Sequence, residues 1–135
     1  MTAIEYLKLI RKLDDMILNK CGEYRHWVDV AEGLGGYSDS EKVQTSRNVH
    51  RTSDAIGNYI DLETEIRELR QQRAKIIKTI ESLPNQEYNV IYRLFVEGLT
   101  MKETAYELNR SYDWVKLKKR SALRKIQDML NEKRG

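Results

Sequence analysis

The thiol and imidazole side chains in this sequence are Cys21, His26 and His50, with a backbone signal, GLGG, at 33–36. Cys21 and His26 stand five positions apart. A closed zinc site needs four ligands, commonly in closely spaced Cys or His pairs, and no second pair supplies them. A thiol beside an imidazole can form a nucleophile–base couple, but an isolated Cys-His pair is far more often accidental. GLGG lacks the Lys-Ser/Thr that completes a phosphate-cradling loop. The chemistry-bearing types therefore argue against an enzyme, and no metal or cofactor is expected.

The other residue type with a chemical use is the cation. The chain carries a net charge of +3, unevenly divided. Residues 1–83 hold 13 basic and 14 acidic side chains, whereas 84–135 hold 11 and 7. Residues 111–126 hold six basic side chains and one acid, Asp113. A concentrated positive segment attracts a polyanion. By itself a charge run more often marks a solvated helical face, so its value depends on how the surrounding elements hold it.

The stretch GLTMKETAYELNRSYDWVKLKKRSALRKI answers that question. Thr100 and Glu103 form a T-x-x-E capping box that starts a short helix, MKETAYELN. Ala105 and Leu108 face inward, Asn109 and Arg110 make a tight turn, and Ser111 caps a second, basic helix. Short helix, tight turn and longer basic helix constitute a helix-turn-helix. At 100° per residue, Val115, Ala122, Ile126 and Met129 share the core side. Tyr112, Asp113, Lys116, Arg120 and Arg124 share the opposite side, with Leu117 beside them. In major-groove docking the first turns reach base edges and later cations hold phosphates. The candidate DNA-contacting set is Ser111, Tyr112, Asp113, Lys116, Leu117, Lys119, Arg120 and Arg124. Lys116 suits guanine O6 or N7. Asp113 suits cytosine N4 or complements the helix N-terminus. Trp114, at the edge, suits DNA contact or packing against the N-terminal hairpin equally.

The elements that must carry this motif are helical. Thr2 and Glu5 form another capping box, and apolar residues from Ile4 to Ile17 follow a 3–4 spacing that continues to about Glu32. Residues 33–53, rich in Gly, Ser, Thr and Asn, read as a long loop. From Asp54, Tyr59, Leu62, Ile66, Leu69, Arg73, Ile76, Ile80 and Leu83 alternate spacings of three and four, a heptad seam along a helix of roughly thirty residues. Arg73 on that seam must snorkel or pair. Pro84 ends the helix. An amphipathic helix with Tyr88, Ile91, Leu94 and Phe95 inward follows, and Gly98 stops it. The expected fold is all-α: a long antiparallel, coiled-coil-like hairpin over 1–83, then a helix-turn-helix domain over 84–135.

The residues of this last part carry a resemblance. LPNQEYNVIYRLFVEGLTMKETAYELNRSYDWVKLKKRSALRKIQDML resembles region 4 of sigma-70-type factors. The matching features are Leu83-Pro84, Val90-Ile91, Phe95-x-x-Gly98-Leu99-Thr100, Glu103-x-Ala105-x-x-Leu108, Val115-Lys116 and Ala122-Leu123-x-Lys125-Ile126. The whole layout is similar to small phage and prophage proteins of Gram-positive bacteria, through the YLxxIRKLD-like start, Val43-Gln44-Thr45-Ser46, Asp54-Ala55-Ile56 and Ile60-Asp61-Leu62-Glu63. Some of these are ArpU- or RinA-like regulators of late genes for packaging and lysis. Two features depart from the pattern. Lys118 and Lys119 replace an apolar residue usual on the inner face of the second helix, and nothing corresponds to segments that read the −10 promoter element.

The resemblance implies a DNA-binding phage transcriptional regulator whose partners are promoter DNA and RNA polymerase. The alternative is an adaptor that binds polymerase or another protein through its hairpin without specific DNA binding. The absence of about 18 consecutive apolar residues excludes a helical membrane span. One cysteine precludes an internal disulfide and fits a bacterial cytoplasm. The heptad seam is compatible with a monomer or with a homodimer through the hairpin.

Overall fold

A computed structural model describes residues 1–33 and 46–134, with side chains described for 1–33 and 54–133. The described residues are helical throughout, apart from short turns. The elements are α1 (Ala3–Glu32), α2 (Ser46–Glu81), α3 (Asn85–Ile91) with a π-helical turn after it (Tyr92–Val96), α4 (Met101–Leu108) and α5 (Tyr112–Arg134). None of these helices is long and apolar enough to cross a membrane.

The stretch 33–53, expected as a loop, lies mostly outside the described residues; its final part, from Ser46, is already helix and begins α2. The reason is chemical. SRNVHRTS contains neither Gly nor Pro, and Ser, Thr and Asn disfavour a helix by only about 0.5–0.7 kcal/mol each. Gly22 and Gly57 are likewise carried inside α1 and α2.

Contacts divide the chain into two compact units, Met1–Leu13 with Gln72–Gly135, and Asp14–Gln71. In the second unit α1 and α2 run antiparallel. Lys20 Nζ lies 2.7 Å from Glu65 Oε2, and Tyr24 meets Tyr59 edge to face, with ring centroids 5.8 Å apart. Along α2 the heptad positions Leu62, Ile66, Leu69, Ile76 and Ile80 are buried, as is Leu83 just beyond the helix end, while Tyr59 and Arg73 are half-buried. The 3–4 alternation from Tyr59 onward therefore marks the buried positions of α2 within each unit.

The first unit gathers the helix-turn-helix with the opening turns of α1 and the last turns of α2. At the start of α1 the Thr2 hydroxyl accepts from the Glu5 N–H at 3.2 Å and the Glu5 carboxylate accepts from the Thr2 N–H at 3.4 Å. The Ala3 N–H, one of the donors a helix start leaves without an internal partner, donates to Gln127 Oε1 of α5 at 2.9 Å. Tyr6 and Thr79 join through their hydroxyls at 3.1 Å. Leu7, Ile10, Ile80, Val90, Ile91, Val115, Ala122 and Ile126 are fully buried.

α2 stops where Pro84 requires. Pro84 is extended (φ −53°, ψ 149°) and α3 begins after it. The inward face of α3 differs from the one expected. Glu87, Val90 and Ile91 are buried, and Leu94 is half-buried beyond them. Tyr88 and Phe95 fall at the edge, half-buried. Taking only apolar residues as inward had left out Glu87, which sits in the middle of the face at i, i+3, i+4, i+7 spacing. The π turn then widens the helix, with Glu97 N–H donating to Tyr92 O at 3.0 Å and Leu99 N–H to Arg93 O at 2.9 Å. Gly98 ends it at φ +75°. A Cβ at Gly98 would meet only the Arg11 guanidinium, the far end of a flexible side chain that can move aside, so the left-handed backbone is what calls for glycine here.

Candidate nucleic-acid interface

Four local devices set the geometry of α4 and α5. The first is the capping box. Glu103 N–H donates to Thr100 Oγ1 at 3.1 Å, and Thr100 N–H donates to Glu103 Oε1 at 3.0 Å. These bonds from Thr100, the backbone N–H foremost, hold the Glu103 carboxyl below its ordinary pKa. The second is the turn. Asn109 is left-handed (φ 55°, ψ 46°), its N–H donates to Tyr106 O at 3.2 Å, and Arg110 N–H donates to Ala105 O at 2.9 Å. That pair of bonds is the Schellman arrangement, here with Asn in place of the commoner Gly. The third is the Ser111 cap, whose hydroxyl accepts from the Trp114 N–H at 3.1 Å.

The fourth is the core between the helices. Val90, Ala105 and Val115 are buried together, with Leu94, Met101, Leu108 and Trp114 packed against them. Trp114 is therefore a core side chain of the helix-turn-helix. Its ring bears two cations, the Arg110 guanidinium 4.9 Å and the Lys118 ammonium 5.8 Å from its centroid. This accounts for a lysine where an apolar residue was expected: Lys118 is half-buried, with its charge over an aromatic face.

α5 is split as its spacing predicts. Val115, Ala122 and Ile126 are fully buried, and Met129 is half-buried. On the other side Ser111, Asp113, Lys116, Arg120 and Arg124 are exposed, with Tyr112 46% and Leu117 61% exposed; Lys119 is half-buried. Among the described residues Lys116, Lys119, Arg120 and Arg124 have no carboxylate partner, so their charge is available. Exposed Leu117 amid these cations supplies an apolar surface of the kind that meets a thymine methyl. Ser111 differs from the rest because its hydroxyl already accepts the capping bond.

Two side chains of this domain do not stand out in the sequence. Tyr106, on the outer side of α4, is 90% exposed, beside exposed Lys102. The first helix of such a motif crosses the DNA backbone, and a phenol and an ammonium there suit phosphate. Glu87 is the other. It is 5% exposed, and its Oε1 accepts from Ser121 Oγ at 2.8 Å and from Lys125 Nζ at 2.9 Å. Its Oε2 has no partner. Burial pushes this carboxyl up, but the hydrogen bonds from Lys125 and Ser121, with the charges of Lys125 and Lys118, outweigh it and leave the pKa lowered. Lys125 is thereby turned away from the outer face, and α5 is fixed in rotation about its axis.

Residues 79–128 match the family model of sigma-70, region 4. This segment is a region-4-like helix-turn-helix, and it covers the end of α2, α3, α4 and most of α5. Region-4 domains in general bind DNA and RNA polymerase, and among the described residues the exposed side of α5 carries cations with no carboxylate partner. No curated protein and no solved structure matched the chain.

Proposed function

We propose that the protein is a transcriptional regulator encoded by a phage or prophage, acting on late packaging and lysis genes through promoter DNA and RNA polymerase. The observation that carries the DNA part is the two-sided α5: one side buried and tied to α3 by Glu87, the other presenting Lys116, Arg120 and Arg124 with Tyr112 and Leu117. The region-4 match supports the promoter and polymerase parts. The resemblance of the segments around Val43–Ser46 and Asp54–Glu63 to phage regulators supports the late-gene part. In this reading α5 enters a major groove, its first turns reach bases, and Lys119, Arg120 and Arg124 hold phosphates. The protein works without catalysis or cofactor.

The test compares binding of the purified protein to late-promoter fragments and to random DNA at two salt concentrations. With three phosphate contacts, log K falls by about 3 per tenfold rise in salt. Preference for one fragment that persists at the higher salt supports a specific regulator. Equal, weak binding to both fragments removes sequence-specific regulation and leaves a protein adaptor. If the protein binds as a dimer, protection falls in two half-sites about one helical turn, or a multiple of it, apart.

A further inference from the structure

The unit formed by residues 14–71 carries a surface that DNA binding by α5 does not use. Cys21, Tyr24 and Val28 of α1 and Ile66 of α2 form the floor of an open groove of about 490 Å³. Arg25, Arg67 and Arg70 line it, opposed by Glu63 alone. The Glu63–Arg67 pair is loose, at 3.8 Å with both side chains exposed. Among the described residues Arg25 and Arg70 have no carboxylate partner. Exposed apolar side chains continue the surface: Leu18, 72% exposed, lies two turns before Arg25 on the same face of α1, and Ile60, 51% exposed, shares the α2 stripe of Arg67. The groove is thus apolar along its floor and cationic along its rim.

We propose that this groove docks an amphipathic helix of a partner protein, apolar on one face and acidic along its margins. A helix laid in a groove presents apolar anchors at i, i+3, i+4 and i+7. Carboxylates beside those anchors meet Arg25, Arg67 and Arg70, whose planar guanidiniums take a carboxylate in two parallel hydrogen bonds. A second copy of the same groove is a poorer occupant. A two-fold contact sets the patch against itself, and three arginines would face three. Duplex DNA would satisfy the arginines but leaves the floor and Leu18 uncovered. The proposal stands apart from the region-4 reading and would survive its failure.

Cys21 is the single cysteine of the chain and lies on the floor, so its reaction with an aromatic disulfide reagent reports occupancy in the full-length protein. The probe is a synthetic helical peptide with leucines at i, i+3, i+4 and i+7 and glutamates flanking them. Its control carries lysines in place of the glutamates. At a concentration ten times its Kd the glutamate peptide should slow the reaction about tenfold, and the lysine peptide should leave it unchanged. Arg67→Glu with Arg70→Glu should abolish protection while helix content and DNA binding stay as before. Both side chains are exposed; if the double variant lost helix, Arg70→Gln alone should still weaken protection. Absent protection, equal protection by the two peptides, or protection retained in the folded variants would overturn the proposal. So would protection by duplex DNA, or protection that rises with protein concentration alone, the mark of a second copy.

Discussion

Glu87 sets how α5 is presented, although it faces away from any DNA. Its one bonded oxygen holds both Ser121 and Lys125, a turn apart on α5. Glu87→Ala removes that anchor and leaves the Ser121 hydroxyl half-buried, which should cost about 1–3 kcal/mol in thermal unfolding. Glu87→Gln keeps an acceptor of the same shape and should cost less than Ala. Lys116 and Arg120 behave oppositely, since both are exposed and free of carboxylates among the described residues. Lys116→Ala with Arg120→Ala should leave the melting temperature unchanged, weaken DNA binding, and lower the salt slope by about 1, from the Arg120 phosphate contact, in titrations across ionic strength. An unaltered slope would take Arg120 out of the DNA contact.

Among the elements, the starts of α1, α4 and α5 were written in the sequence, that of α2 was not, and the helix phases were only partly so. T-x-x-E at Thr2 and at Thr100, and Ser111 before an amphipathic run, each announce a cap because one side chain must reach a backbone N–H three residues on, and all three reach it. The α2 seam was legible because buried side chains recur with the helical period. The inward face of α3 was less so. A buried glutamate looks like a surface residue until its partners on another helix are placed, and a π turn leaves no compositional mark. The start of α2 was set late because Ser, Thr and Asn were given more weight than their helix cost warrants. At the turn, Asn109 in the left-handed region should respond in opposite directions to substitution. Asn109→Gly should hold stability or raise it slightly, while Asn109→Val should lose about 1–2 kcal/mol. Chemical denaturation of the two variants measures the difference.

At the scale of the whole molecule, acid is the condition that should loosen the fold. Glu87 and Glu103 both have pKa values lowered in the folded chain. Each therefore contributes stability that is fully present above the ordinary carboxylate pKa and is lost as pH falls through the depressed folded value. The melting temperature should drop steadily below the usual carboxylate range. Glu87→Gln with Glu103→Gln should flatten that slope by lowering the melting temperature above the carboxylate range toward its acid value. Lys20 acts at the other end. The hydrogen bond with Glu65 raises its pKa, so its contribution fades only as pH climbs through that raised value.

The bond from the Ala3 N–H to Gln127 joins residues 124 positions apart in sequence. Leu7 and Ile10, fully buried in the same unit, lie near the start of α1 and are synthesised well before Ile80 of α2 and the residues of α5. Until the end of α2 and then α5 are synthesised, that apolar surface lacks part of its cover. Loop-closure entropy over such a span slows the encounter further. The unit should then become rigid only after α5 has been added to it. Stalled nascent chains ending near Leu108 should show protease-sensitive N-terminal turns that the finished protein protects.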